Sequence, residues 1–160
     1  MDLEPLETCE AHGDPTVRQL SVFVENRVGQ LLHLTRLFER TDVRILAVSV
    51  VHCVDCAVCR MILDDPDRAS EVLRGARFQV SEAELIVVSL PHGKRALLAT
   101  WAALLGAEIN IHYTYPLLVR PRGKAAIAVL PDSIEQAICT LRDRGFDVLD
   151  QEDLLDARHE

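Results

Sequence analysis

The sequence contains one pattern twice, and the second copy begins roughly 66 residues after the first. Each copy has a short apolar strand, a polar turn and an apolar-faced helix. The first copy of this pattern occupies residues 19–38 and the second occupies residues 84–105. A unit of this length is longer than solenoid repeats and has room for two helices and four short strands. The duplication therefore predicts two small domains of the same fold, each able to bury a core of its own.

Each copy then continues in the same order, with two apolar strands, a second helix and a last short strand. These strands are predicted at residues 44–51, 57–63 and 78–80 in the first copy, and at 108–115, 124–130 and 146–149 in the second. The second helices begin at Pro66 and after Pro131, where a proline suits the first turn of a helix. The order βαββαβ predicts an α+β fold of the ferredoxin-like type, with an antiparallel sheet and both helices on one face.

The same order of elements divides the chain into segments. We predict an acidic flexible tail at residues 1–17, a first domain at 18–82, a second domain at 83–150 and a C-terminal tail at 151–160. The two domains can join into one eight-stranded sheet, either within one chain or with another chain. Because edge strands that stay unpaired favour self-association, a homodimer is expected.

The charge and hydropathy of the chain argue against several classes of partner. The sequence has 17 Lys and Arg against 25 Asp and Glu, a net charge of −8, and no basic stripe interleaved with aromatic residues. Nucleic acid is therefore not an expected partner. No apolar run approaches the ~18 residues that span a bilayer, and no basic segment followed by an apolar one opens the chain. We expect no membrane partner and a cytoplasmic location.

The turn of the first copy carries a short motif. Residues 26–31, Asn-Arg-Val-Gly-Gln-Leu, follow the first strand and resemble the Asn-x-x-Gly-x-Leu signature of ACT domains. ACT domains are small-molecule-sensing modules attached to enzymes of amino-acid biosynthesis. The segment from Glu108 to Tyr113 is similar to the second strand of such domains, and residues 19–149 as a whole resemble a free-standing tandem ACT protein. The resemblance implies a regulatory protein that binds an amino acid and needs no cofactor.

The resemblance also implies that the ligand lies between the first turn of one module and the second strand of the other. Physical chemistry supports this placement, because the start of a helix offers unpaired N–H groups and a partial positive charge to a carboxylate. A ligand ammonium group needs oxygen acceptors, which Asn26 and Asn110 supply. The predicted ligand-binding residues are Asn26, Arg27, Val28, Gly29, Gln30 and Leu31 in the turn, and Asn110, Ile111 and His112 in the strand.

Simpler structural roles stay open for these residues. Asn26 can cap the helix, and Gly29 can relieve a tight turn, without any ligand. His112 can lie on the surface or take a hydrogen bond within the core. It alternates with Asn110 and Thr114 on the polar face of its strand. The other face of that strand is expected to be apolar and to carry Ile109, Ile111, Tyr113 and Tyr115.

The second copy departs from the motif at one position. Arg95 stands where the signature glycine is expected, two residues before Leu97. Its side chain would crowd the open N–H groups of the helix start, although Gly93 supplies part of the turn. We predict that the second site is either degenerate or altered toward a more acidic ligand that pairs with Lys94 and Arg95.

A cluster of cysteines offers a competing function. Cys53, Cys56 and Cys59 lie close together, next to His52 and Asp55, in a chain with an odd number of cysteines. Zinc favours four ligands at tetrahedral spacing, whereas residues three apart on an extended strand point to opposite faces. We therefore predict no metal site, and the alternative function is a metal- or thiol-binding module that uses residues 52–59.

Catalysis is the least expected activity. The sequence contains none of the GxGxxG, P-loop, HExxH or GxSxG motifs. The neighbouring side chains of His52 and Cys53 would diverge on a strand, so they do not form a nucleophile and base. The predicted function is a non-catalytic regulatory protein that acts on another, unknown protein. A third hypothesis is a structural interaction domain whose binding sites are vestigial.

Overall fold

The structure, a computed structural model, describes residues 13–157. The first half of the chain forms β1 (Val17–Glu25), α1 (Gln30–Glu39), β2 (Ile45–His52), β3 (Cys56–Leu63), α2 (Pro66–Gly75) and β4 (Gln79–Ser89). The second half forms α3 (Ala96–Gly106), β5 (Ile111–Pro116), a 3₁₀ turn (Pro121–Gly123), β6 (Ala126–Pro131), α4 (Ile134–Asp143), β7 (Asp147–Leu149) and α5 (Gln151–Asp156). Most of the predicted acidic tail, residues 1–12, and the last residues, 158–160, lie outside the described part of the chain.

The strands of the described residues form an antiparallel seven-stranded sheet in the order β2-β3-β1-β4-β6-β5, with β7 also paired to β4. Residues 79–85 of β4 pair with β1, and residues 86–89 pair with β6 and β7. We call β1 to residue 85 the first module and residues 86–149 the second module. Each module has the strand order of a ferredoxin-like sheet, so the predicted fold is confirmed in both copies.

The shared strand corrects one sequence prediction. The strands expected separately at 78–80 and 84–90 are one continuous β4, so the described sheet has seven strands instead of eight. The domain boundary predicted between residues 82 and 83 falls inside this strand. Residues 81, 82 and 84 are polar and exposed, and an exposed strand position accepts a polar side chain while the backbone stays in the ladder.

Three apolar clusters hold the layers together. One lies under α1 and α2 in the first module, and another lies under α3 and α4 in the second. The third, the central core, joins the two modules through the sheet faces that the helices leave free; it includes Val17, Ile62, Val87, Ala128 and Leu149. Near this core the two sheet edges meet where Ala47 of β2 bridges Leu117, and the N–H of Leu118 donates to the carbonyl of Leu46 at 2.8 Å.

Local sequence explains where the outer helices begin. The side chain of Asp65 accepts a hydrogen bond from the N–H of Arg68 at 3.0 Å, with Pro66 in the first turn of α2. Ser133 caps α4 in the same way. No helix in residues 13–157 is long and apolar enough to cross a membrane.

The end of the described chain is a helix where a tail was expected. Residues 151–156 form α5, which begins with a capping box between Asp150 and Asp153. Leu154 is fully buried in the central core. This corrects the prediction of a C-terminal tail for residues 151–156, since both the cap and the burial of Leu154 order the segment.

A polar network crosses the central core. Gln19 of β1 has no exposed surface, and its Oε1 accepts a hydrogen bond from the hydroxyl of Tyr115 at 2.6 Å. Its Nε2 donates to the hydroxyl of Tyr113 at 2.8 Å. The guanidinium of Arg60 stacks 3.8 Å above the ring centroid of Tyr113. The Gln19 network therefore fixes how the first module sits on the second.

Candidate functional site

The turn between β1 and α1 lies where the sequence predicts it, and it is open. Gly29 stands at the N-cap of α1 with φ of 87°, a left-handed conformation that favours glycine. No atom lies within 4 Å of the position a Cβ would take there, so the requirement for glycine is one of backbone conformation. No side chain caps the first turn of α1, and Val28 is fully exposed. The N–H of Gln30 donates to the carbonyl of Arg27 at 3.4 Å, and the other N–H groups at the start of this helix face solvent or a ligand.

Asn26 does not cap the helix. Its Nδ2 lies 2.9 Å from Nε2 of His52, at the end of β2, and both side chains are exposed. If Nδ2 donates to this ring nitrogen, Oδ1 of Asn26 remains an acceptor. The neighbouring Arg27 forms an ion pair with Glu25. His52 therefore contacts this turn, although the sequence grouped it only with the cysteine cluster.

The second predicted segment lies before and at the start of β5. The carbonyl of Asn110 accepts a hydrogen bond from the N–H of Asp132 at 2.9 Å, and its side chain is exposed, as is that of His112. The register of β5 shifts between Ile111 and Tyr113. The residues on the predicted apolar face are therefore divided: Ile109 and Ile111 pack under the helices, whereas Tyr113 and Tyr115 pack in the central core. This irregularity corrects the prediction of a single apolar face.

The two predicted halves of the site are not joined within one chain. In residues 13–157 no hydrogen bond connects residues 26–31 with residues 110–112. The edges of β2 and β5 are bridged at Ala47 and Leu117, beyond the C-terminal end of β5. The structure brings Asn26 to His52 instead of to Asn110.

The corresponding turn of the second module borders a cavity of about 340 Å³. Gly93 adopts φ of 111°, and Arg95 is the N-cap of α3. We call this space the basic cavity, because Lys94, Arg120 and Lys124 line it together with His92, whereas no carboxylate of the described part of the chain does. Arg95, which was expected to bind an acidic ligand together with Lys94, is not among the lining residues. A smaller cavity of about 280 Å³ adjoins it and shares Lys124.

The cysteine cluster is built around one tight hairpin. The N–H of Cys53 donates to the carbonyl of Cys56 at 2.8 Å. Partial burial and the hydrogen-bonded Cys53 thiol raise the pKa of Cys56. Burial raises the pKa of the Cys59 thiol to about 11, which keeps it protonated near neutral pH. Among the described residues, no group of three or more His, Cys, Asp or Glu side chains is placed to hold a metal ion.

Comparison with known proteins identifies the family to which the chain belongs. The sequence matches the profile of the family described as an ACT domain pair over residues 15–157. The structure is similar to that of protein BT0572 from Bacteroides thetaiotaomicron, with a TM-score of 0.80 and 26% identity, over 88% of this chain and 96% of that one. Two regulatory subunits of aspartate kinase, from Thermus thermophilus and Thermus flavus, share the fold at 10% identity, with TM-scores of 0.57 and 0.55. In both pairs 81% of this chain and 93% of the other are covered. The sequence has no match among curated proteins.

Proposed function

The chain belongs to the family of ACT domain pairs, and we propose from this premise that it is a non-catalytic regulatory protein that binds a free amino acid. ACT domains are regulatory, and the same fold forms the regulatory subunits of aspartate kinase. The open turn before α1, with left-handed Gly29, is the observation that supports ligand binding most directly. The proposed output is a changed contact with a separate, regulated protein, because a ligand shifts only states that bind it with different affinity.

The proposed ligand lies against the first turn of α1. Its carboxylate accepts hydrogen bonds from the N–H groups of Val28, Gly29 and Leu31, where the helix adds partial positive charge. Its ammonium group donates to Oδ1 of Asn26, whose Nδ2 faces His52. We place the segment with Asn110, Ile111 and His112 on the opposite side of the site, contributed by a second copy of the chain. No nucleic acid or membrane enters this proposal, and the cytoplasmic location stays a prediction.

A panel of free amino acids tests the proposal by thermal unfolding of the metal-free protein. One amino acid, or a related few, should raise the midpoint of unfolding. At about 100 times its dissociation constant such a ligand adds about 2.7 kcal/mol to the free energy of unfolding, which is readily measured for a chain of this size. Stabilisation by zinc alone would favour the metal- or thiol-binding alternative. A chain that responds to no amino acid and no metal would support the interaction-domain hypothesis.

Gly29→Trp provides the matched variant, because an indole there covers the N–H groups that hold the carboxylate. Gly145→Trp is the control, since Gly145 also has a positive φ, of 80°, but lies in the second module. Both substitutions should cost a similar amount of stability, about 1–2 kcal/mol for a left-handed residue with a side chain. Only Gly29→Trp should abolish the ligand response. If the ligand raised the midpoint of unfolding equally in the two variants, the proposed turn would be ruled out as the site.

A homodimer is the proposed assembly, with residues 48–52 of β2, which follow the bridge between Ala47 and Leu117, as the contact. Val48, Val50 and Val51 on this edge strand are 38%, 45% and 39% exposed, an apolar edge that invites pairing with another strand. Light scattering should give twice the 17.9 kDa mass of one chain. Val50→Lys should shift this mass toward one chain, whereas Leu98→Lys, on the exposed surface of α3, should not. A wild-type mass of one chain would contradict the proposed dimer.

A further inference from the structure

We propose that the basic cavity of the second module binds a small organic molecule that carries at least two negative charges. Three cationic side chains, Lys94, Arg120 and Lys124, line a space of about 340 Å³ that no Asp or Glu of residues 13–157 lines. The chain as a whole has a net charge of −8, so this local excess of positive charge runs against its composition. Opposite charge in a bound ligand is what such a cavity recognises.

The cations of the cavity have no counter-ions among the described residues. No ion pair within residues 13–157 involves Lys94, Arg120 or Lys124. Arg122, in the same loop, differs because it pairs with the carboxylates of Asp147 and Asp153. In this loop Arg122 is therefore paired with carboxylates and lies outside the cavity. Arg120 and Lys124 have no such partners and form part of the cavity wall.

The cavity is also pre-organised. The N–H of Gly123 donates to the carbonyl of Arg120 at 3.0 Å, and the N–H of Lys124 donates to the carbonyl of Pro121 at 3.1 Å. These bonds close a tight turn that sets Arg120 and Lys124 on either side of it. The N–H of Leu90 donates to the carbonyl of Ala125 at 2.8 Å, which ties this loop to the turn that carries Lys94. The backbone of the cavity walls is therefore ordered before a ligand binds, and only the exposed side chains of Lys94, Arg120 and Lys124 are left for the ligand to order.

The walls define the ligand class further. Leu90, Ala96 and Leu97 supply apolar surface opposite the cations, and the volume suits a molecule the size of an amino acid or small phosphorylated metabolite. Arginine and lysine both bind carboxylates and phosphates, so the shared requirement is a compact molecule with at least two negative charges. We call such a molecule a dianion here, also where it carries an ammonium group besides its two carboxylates. A dicarboxylic amino acid and a phosphorylated compound are the two sources that an experiment must separate.

This site goes beyond the proposed amino-acid site in the first module. Both of its walls, the β4–α3 turn and the β5–β6 loop, belong to the second module of one chain. It therefore needs neither Gly29 nor a second copy. Gly29→Trp should leave dianion binding intact, so failure of one site is distinguishable from failure of the other.

Isothermal titration calorimetry on the full chain tests the proposal with L-aspartate, succinate, inorganic phosphate and L-alanine as probes. Saturable binding of at least one dianion, weakened by added salt, and none of L-alanine is the expected result. Preference for L-aspartate and succinate would identify a dicarboxylate site, and preference for phosphate would identify a phosphate site. Absence of saturable binding by all the dianions would overturn the proposal.

Charge-removing variants locate the binding. Lys94→Gln and Lys124→Gln should each weaken dianion affinity by about tenfold or more, since each removes a charge-assisted hydrogen bond. Arg142→Gln removes the same charge from the exposed end of α4, outside both cavities, and should leave affinity within about twofold. Circular dichroism checks that each variant is folded. Equal losses of dianion affinity in all three variants would show that only the overall charge of the protein matters, and would overturn the assigned site.

Discussion

Replacing Gln19 by leucine should lower the free energy of unfolding by about 2–4 kcal/mol, although the two side chains are similar in size. The Gln19 side chain is fully buried and takes the hydroxyl hydrogen of Tyr115 at 2.6 Å. It also donates to Tyr113. A leucine at this position would leave the Tyr115 hydroxyl buried without a partner, and that unpaired group accounts for most of the expected loss.

Removing the partners as well should restore stability. In the triple variant Gln19→Leu, Tyr113→Phe and Tyr115→Phe, neither tyrosine hydroxyl remains, and apolar side chains fill the same space. The hydroxyl of Ser21, which is only partly buried, loses the hydrogen bond that Nε2 of Gln19 donates to it at 3.2 Å. Urea unfolding of the single and triple variants gives the comparison, and we expect the triple variant within about 1 kcal/mol of wild type. A loss below about 0.5 kcal/mol for Gln19→Leu alone would show that the network does not fix the modules.

The physical basis of this prediction could not be read from the sequence. Gln19 appears there as a polar residue at the start of a strand, and its partners lie 94 and 96 residues away. Burial raises the pKa of Tyr115, which stays neutral and keeps its hydroxyl hydrogen for Gln19. Contacts of this kind depend on how two faces of the sheet meet. The alternation of polar and apolar residues along a strand predicts which face a residue lies on, but not which residue of another strand it contacts.

Local chemistry, by contrast, predicted most of the elements. Helices with a cap or an N-terminal proline, such as α2 at Pro66, begin where expected. The motif also predicted a turn at Gly29, and the structure adds that its backbone is left-handed. The continuous strand β4 was not predicted, because Ser81, Glu82 and Glu84 are polar. The side chain of Glu82 lies next to α2, where it accepts a hydrogen bond from Ser70 and pairs with Arg74. Pairing with β1 holds the backbone extended there despite the polar side chains.

In the candidate sites, too, some residues were predicted from local sequence and others depend on the fold. Lys94 was singled out from the sequence because it lies in the turn before α3. Arg120 and Lys124 were not, because they reach the cavity only when the β5–β6 loop folds over that turn. Asn26 and His52 likewise lie 26 residues apart and meet through the pairing of β2, β3 and β1. Residues close in sequence were predicted well, whereas partners supplied by another element required the fold.

Inserting a short, flexible Gly-Ser segment between Glu82 and Ala83 should remove most of the free energy of unfolding, which is about 5–15 kcal/mol for a typical domain. This position is the predicted domain boundary, and two independent domains would tolerate a linker there. In the structure it lies in the middle of β4, where Glu82 pairs with Leu20 and Ala83 pairs with Gln19. The insertion would displace one half of β4 from β1 or from the second module and expose the central core.

The same segment inserted between Val54 and Asp55 is the matched control. Val54 is 92% exposed at the tip of the β2–β3 hairpin, and a longer loop there should cost only about 1 kcal/mol, because closure entropy grows slowly with length. Urea unfolding monitored by circular dichroism compares the two insertions. We expect one cooperative transition near that of wild type for the hairpin insertion, and a largely unfolded chain for the β4 insertion. Two separate, stable transitions after the β4 insertion would show that the modules fold independently and that the shared strand is dispensable.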